Sequence, residues 1–146
     1  MDILIDTNIL VGSVQIESAL HSEAIHALLV LRGRGVRVCV VPQNVYEFWA
    51  VATRPIENNG LGMTPRQAHD LAGRIESLYK LLRDPPDLYD EWRRLVVTYG
   101  VSGKKTHDAR LVVAMAIHGL KQILTYNTAD FGRFPSISAL HPSSFA

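Results

Sequence analysis

Four acidic residues stand where the apolar pattern of the chain breaks off. Asp6 closes the run Ile3-Leu4-Ile5, Glu47 lies early in the segment opened by Pro42-Gln43-Asn44, Asp108 follows Thr106-His107, and Asp130 comes just after the run Gln122 to Tyr126. Two carboxylates about 4 Å apart repel by roughly 4 kcal/mol at an effective dielectric of about 20, so a cluster of them demands protons or cations. An all-oxygen donor set selects a hard ion, Mg²⁺ or Mn²⁺, over zinc. None of the six histidines has a convincing metal spacing: His21 and His26 are five apart, and His107 suits the start of a helix. A carboxylate-held pair of such ions suits phosphodiester hydrolysis, one ion activating a water and the other stabilising the leaving oxygen. Helix starts near Glu47 and Asp108 would further favour the ionised acids. Taken singly, each acid fits a helix cap or a solvated surface charge just as well. The cluster exists only if the fold assembles it.

The elements that must do so are legible from periodicity. Ile3 to Ile5 is a continuous apolar run that suits a strand covered on both faces, and Asp6 must sit at its edge because such a strand cannot bury a charge unpaired. From Ser18 to about Arg32, Ala24, Ile25, Leu28, Leu29 and Leu31 recur at largely helical spacing before Gly33-Arg34-Gly35 stops them. A second strand spans Val36 to Val41 and holds Cys39 as a small buried hydrophobe. Pro42 opens a helix with Val45, Phe48, Trp49 and Ala52 on one stripe and Glu47 off it, ended by Arg54-Pro55. After a loop of turn formers from Ile56 to Met63, Thr64-Pro65-Arg66-Gln67 is a capping box. It starts a helix whose apolar face is Ala68, Leu71, Ala72, Ile75, Leu78, Tyr79 and Leu82, with Asp70 and Arg74 paired outside and Asp84-Pro85-Pro86 as its end.

Leu88, Trp92, Leu95, Val96 and Tyr99 mark a further helix closed by Gly100. Thr106 caps the next, on which Asp108, Leu111, Val112, Met115 and Ala116 share one face. Gln122 to Tyr126 is a third buried strand, and the tail from Phe134 to Ala146, with Ile137 and Leu140, adds a short edge strand. Tyr46, Trp49 and Trp92 are assigned to the core. Alternating strands and helices predict an α/β fold of three layers, a central mostly parallel sheet flanked by helices. Ligands of such sheets bind beyond the carboxyl ends of the strands, which brings Asp6, Glu47, Asn127 and Asp130 to one edge. Asp108 opens a helix that runs into the third strand, so topology alone does not place it there.

The bulk properties are permissive. A chain of 146 residues, 47% hydrophobic and 20% charged, suits a single domain over 1–146 with its own core. A net charge of +1 neither demands nor excludes a nucleic-acid partner. The single cysteine allows no intramolecular disulfide, and no leader or apolar run of about 18 residues is present, so the expectation is a cytoplasmic protein with no membrane partner.

Ile3-Leu4-Ile5-Asp6-Thr7-Asn8, Val41 to Trp49 with Ala52-Thr53-Arg54-Pro55 beyond, His107-Asp108-Ala109, and Leu124 to Phe131 together resemble a PIN domain, over nearly the whole chain and in order. Within that family the chain is most similar to VapC-type toxins. The resemblance implies a PIN-like fold and a Mg²⁺- or Mn²⁺-dependent ribonuclease acting on an RNA substrate, with an inhibitory antitoxin and a homodimer as partners. Carried over residue by residue, it makes Asp6, Glu47 and Asp108 metal-binding acids. Many members have Asp where this chain has Asn127, which leaves Asp130 as the nearby carboxylate and removes one charge from the second metal position. Thr7 and Asn8 would orient Asp6 or a metal-bound water, or act as simple caps. Arg54, Lys104, Lys105 and Arg110 are candidate contacts for RNA phosphates. Two other readings stay open: phosphoryl transfer through an aspartyl nucleophile, against which Asn8 stands where a second Asp is usual, and a catalytically degenerate RNA- or protein-binding module, favoured by Asn127.

Overall fold

Ile3, Leu4 and Ile5 point alternately to two faces of a sheet, and each face has its own apolar core. In the computed structural model, which describes residues 1–145, the chain runs β1 (Asp2–Ile5), α1 (Thr7–Val14), α2 (His21–Gly33), β2 (Arg37–Val40), α3 (Pro42–Thr53), α4 (Pro65–Leu78), β3 (Lys80–Leu81), α5 (Leu88–Thr98), α6 (Lys105–Ile117), β4 (Gln122–Leu124) and β5 (Ser138–Leu140). The strands form one five-stranded sheet in the order β3-β2-β1-β4-β5, and all four neighbouring pairs are parallel. On one face Ile3, Ile5, Val40 and Leu124 pack with residues of α1 to α4, among them Ile9, Leu28 and Phe48. On the other, Leu4, Cys39, Val41 and Ile123 pack with α5 and α6 through Leu88, Leu111, Val112 and Met115. This is the expected three-layer α/β arrangement, with β1 at its centre because its residues are apolar toward both faces.

Several local expectations change. The helix begun by the Thr64–Gln67 capping box ends at Leu78. Tyr79 turns extended, and Lys80–Leu81 pair with Cys39 and Val40 as an edge strand. The outer backbone groups of β2 need partners, and Leu82 N–H completes them by donating to Val40 O at 2.8 Å. Asp70 pairs with Arg66 at 3.7 Å, one turn earlier, instead of Arg74; both are exposed, so either pairing is worth little. Thr106 is not a cap. Lys104 holds that position, and the Thr106 hydroxyl lies inside the first turn and donates to Gly103 O at 2.7 Å. Ala116 is exposed instead of facing the core with Met115, and Tyr46 is 64% exposed instead of buried. The third strand stops at Leu124, which releases Thr125 and Tyr126 for other contacts. Among the described residues no helix is long and apolar enough to cross a membrane.

Phe48 is fully buried on the helix that also carries Glu47. Phe48→Ala is expected to lower unfolding stability by about 3–5 kcal/mol, measured by urea denaturation; a loss below about 1 kcal/mol would contradict the packing described.

Candidate active site

The sheet order makes β1 and β4 neighbours although the chain leaves them in opposite directions, toward β2 and toward β5. A crevice opens at such a switch point, beyond the carboxyl ends of the strands. Asp6 is the first residue past β1, and its N–H donates to Leu124 O at 2.9 Å, so the last β1–β4 contact fixes its backbone. Its side chain caps α1, Oδ1 accepting from Thr7 N–H at 2.7 Å. Oδ2 accepts from the Thr125 hydroxyl at 2.8 Å. Cap and cluster member are therefore one role, since the capping geometry holds the carboxylate at the crevice while it stays only 9% exposed.

Glu47 is held by the same segment. Thr7 Oγ1 donates to Glu47 Oε1 at 3.0 Å and faces the amide of the fully buried Asn44 at 3.5 Å. Asn44 Oδ1 in turn accepts from Val41 N–H at 2.8 Å, tying α3 to the end of β2. A hydroxyl has one proton to give, and Thr7 and Thr125 each spend it on a carboxylate. Thr125 also accepts from Asn8 Nδ2 at 3.3 Å and from Asn127 N–H at 3.0 Å. Asn8 thus positions Asp6 through Thr125, not by touching it.

Asp6, Glu47, Asp108 and Asp130 line one open cleft of 530 Å³, together with Thr7, Asn8 and Asn127. Asp108, which topology left unplaced, reaches it from the first turn of α6, where Gln43 Nε2 donates to His107 O at 2.8 Å and Arg110 donates to Gln43 Oε1 at 3.2 Å. Asp130 sits in the short 3-10 turn Thr128–Phe131, anchored by buried Phe131. Lys105 Nζ lies 3.9 Å from Asp130 Oδ1. None of the four candidate phosphate contacts, Arg54, Lys104, Lys105 and Arg110, lines the cleft, and Arg110 pairs with Asp84 at 3.1 Å. Sequence reasoning passed over Thr125, Asn44 and Gln43. The available signal was an Asn and a Gln in the first turn of a helix, where both side chains are buried polar groups that need partners.

No family model and no curated protein sequence matches the chain. Solved structures do. The DNA-bound VapBC from Salmonella typhimurium superposes with a TM-score of 0.69 at 16% identity, covering 97% of this chain and 98% of the other. VapBC2 from Rickettsia felis, bound to a DNA fragment from its promoter, gives 0.68 at 13% identity over 97% and 98%. VapC20 from Mycobacterium tuberculosis, described as a Sarcin-Ricin loop cleaving toxin, gives 0.61 at 16% identity over 83% and 86%. The chain has the PIN-like fold. At these identities the likeness is one of architecture, and the site must be argued from this chain's own residues.

Within the PIN-like fold the acids shape one another's charge. Burial pushes the Asp108 carboxyl up to about 6, and the charges of Asp6, Asp130 and Glu47 add to the rise while His107 opposes it. Asp6 is also raised, by burial first, against the lowering effect of its bonds from Thr125 and Thr7 and with further raising by Glu47 and Asp130. The expected stabilisation of ionised Asp108 by its helix start is overridden: desolvation and three neighbouring acids outweigh a partial helix charge. Among the described residues, no three acidic, histidine or cysteine side chains stand close enough to hold one ion jointly. Mg²⁺ commonly keeps several waters and takes only one or two carboxylates, so the carboxylates that line this cleft fit it without a closed cage.

The Asp108 shift predicts a pH dependence. The folded protein holds a proton that the unfolded chain, with Asp near 3.8, releases, so without divalent cations stability falls as pH rises from about 4 to about 6. Asp108→Asn is expected to raise the urea midpoint at about pH 7.5 in chelator, the gain vanishing near pH 4. Equal midpoints at both pH values would contradict the shift.

Proposed function

We propose that the chain is a Mg²⁺- or Mn²⁺-dependent ribonuclease, the toxin of a toxin–antitoxin pair. The observation that carries the reading is the meeting of four carboxylates, each from a different segment, in one cleft at the switch point of the sheet. The likeness in fold to VapBC assemblies, and to a toxin described as cleaving the Sarcin-Ricin loop, supports it.

Asp6, Glu47, Asp108 and Asp130 would supply the carboxylates, no more than two of them to any one ion and water filling the remaining positions. A bound Mg²⁺ supplies Lewis-acid stabilisation of the phosphodiester and activates water for attack. The chain's own part is positioning. Thr7 and Thr125 fix Glu47 and Asp6 so that neither swings away from its neighbours, and Asn8 fixes Thr125. Asp108, with its carboxyl pushed up to about 6, must give up its proton for a cation, so ion affinity falls on acidification through that range. Lys105, beside Asp130, puts a positive charge at the rim where an RNA phosphate would pass. An antitoxin and a second copy of the chain are the proposed protein partners, and the cytoplasm is the proposed compartment, in keeping with the single buried thiol of Cys39.

The degenerate-module reading rested on Asn127. It loses force because Asp130 lines the same cleft and its charge acts on both Asp6 and Asp108. Aspartyl phosphotransfer is disfavoured because the Asn8 side chain is committed to Thr125 and to Tyr126 N–H at 3.4 Å.

The test is cleavage of RNA by purified protein in Mg²⁺ or Mn²⁺. Asp6→Asn is expected to cut the rate by at least about 100-fold, since even the outer partners of metal ligands cost about 10- to 100-fold, with native far-ultraviolet circular dichroism retained. A variant as active as the wild type, or activity untouched by chelator, would overturn the proposal.

A further inference from the structure

The cleft that holds the acids also has an uncharged part, lined by Val11, Gly12, Gln15, Ser18, Leu20 and Tyr126 among others. Gln15, Ser18 and Leu20 belong to the connection between α1 and α2, so part of the wall is neither helix nor strand. Such a stretch keeps a fixed shape only if something outside it holds it.

Two side chains do so. His21 Nδ1 lies 2.9 Å from Gly12 O, and because a carbonyl only accepts, that nitrogen carries the proton. This bond ties the start of α2 back to α1, its neighbour in sequence. The Tyr126 hydroxyl donates to Leu20 O at 2.8 Å and joins the connection to the end of β4, 106 residues away. Leu20 O also accepts from Ala24 N–H at 3.0 Å, so the first turn of α2 has already aimed the carbonyl that Tyr126 meets.

Tyr126 is held from several sides. Its N–H donates to Asn8 Oδ1 at 3.4 Å, and its ring stands edge-on to His141 with centroids 5.6 Å apart. A methyl group at Gly12 would touch the hydroxyl at 3.5 Å and the ring at 3.6 Å, so the side chain lies against α1. Its neighbour Thr125 is the residue whose hydroxyl donates to Asp6. Two consecutive residues at one strand end thus fix both sides of the cleft, Thr125 the first acid and Tyr126 the uncharged wall.

We propose that Tyr126 is a positioning residue for the reaction. Its hydroxyl holds the α1–α2 connection in place before the substrate arrives, so the cost of ordering that wall is not met on binding. The inference rests on the ribonuclease reading for its substrate, whereas the hold on the connection can be measured without one.

The variant is Tyr126→Phe, which keeps the ring and its contacts with Gly12 and His141 and removes only the hydroxyl. Leu20 O keeps its bond from Ala24, and native circular dichroism is the check on folding. Hydrogen exchange of the metal-free chain, followed by mass spectrometry, should show the amides of residues 15–20 exchanging about 2- to 10-fold faster, the worth of one neutral hydrogen bond, with those of α5 unchanged. In Mg²⁺ with a short labelled RNA, KM should rise by no more than the exchange factor, because only chains with the wall in place bind well. The turnover number kcat should change by less than about 2-fold, since the acids keep their geometry.

Unchanged exchange at 15–20, or equal acceleration throughout the chain, would overturn the proposal. Faster exchange there with KM unchanged would overturn the role toward substrate and leave the ribonuclease reading intact, as would a loss carried by kcat alone. If the wild type cleaves no RNA, the ribonuclease reading falls and the role toward substrate with it, and exchange alone decides whether the hydroxyl holds the connection.

Discussion

The repulsion among Asp6, Glu47, Asp108 and Asp130 is the constraint to which the rest of the structure answers, because desolvated like charges at the end of a sheet separate or take up protons unless something opposes them. Two threonine hydroxyls do much of the opposing. Thr7 donates to Glu47 and Thr125 to Asp6, and each hydroxyl is itself oriented by a buried or half-buried amide, Asn44 and Asn8. Those amides are fixed by the ends of β2 and β4, so strand pairing sets the spacing of the acids. Among the described residues Asp108 receives no such bond, and its carboxyl is raised by burial first and by its three acidic neighbours after that. What remains is a standing electrostatic cost that a divalent cation would relieve, so on the proposed reading the site would give up stability of the empty protein for affinity.

The fold was legible wherever an element was long enough to show a period. The apolar runs at 3–5, 36–41 and 122–126 and the stripes of α3 and α5 predicted the parallel three-layer arrangement now seen. β3 was not legible, because two residues carry no alternation, and Tyr79 and Leu82 extend the helical spacing of α4 as well as they serve an edge strand. Only the demand of the outer edge of β2 for backbone partners decides between them. Asp70 likewise had a cation one turn away on either side, and local spacing does not choose between Arg66 and Arg74.

The site was legible in its acids and illegible in its supports. A charge that ends an apolar run is conspicuous, and Asp108 stood out because it shares a face with Leu111 and Met115. Thr125, Asn44 and Gln43 are ordinary residues for a strand end or a helix start, and their role appears only once the chain brings residues 37 to 119 positions apart into contact. The opposition between cap and site residue at Asp6 was itself false, since one carboxylate has two oxygens and uses them separately. That the fold persists at 13–16% identity to VapBC and VapC structures fits a scaffold specified by apolar pattern, while the cluster depends on a handful of polar positions.

The central claim is that this carboxylate cluster exists to bind a divalent cation, and direct Mn²⁺ binding tests it without reference to any substrate. Titration of the purified chain with Mn²⁺, followed by electron paramagnetic resonance at about pH 7.5, should show the free-ion signal suppressed by one or two ions per chain. The binding should weaken on acidification through about pH 6 and disappear in the Asp6→Asn, Asp108→Asn double variant. A wild-type titration indistinguishable from buffer, or binding that survives the double variant unchanged, would contradict the account.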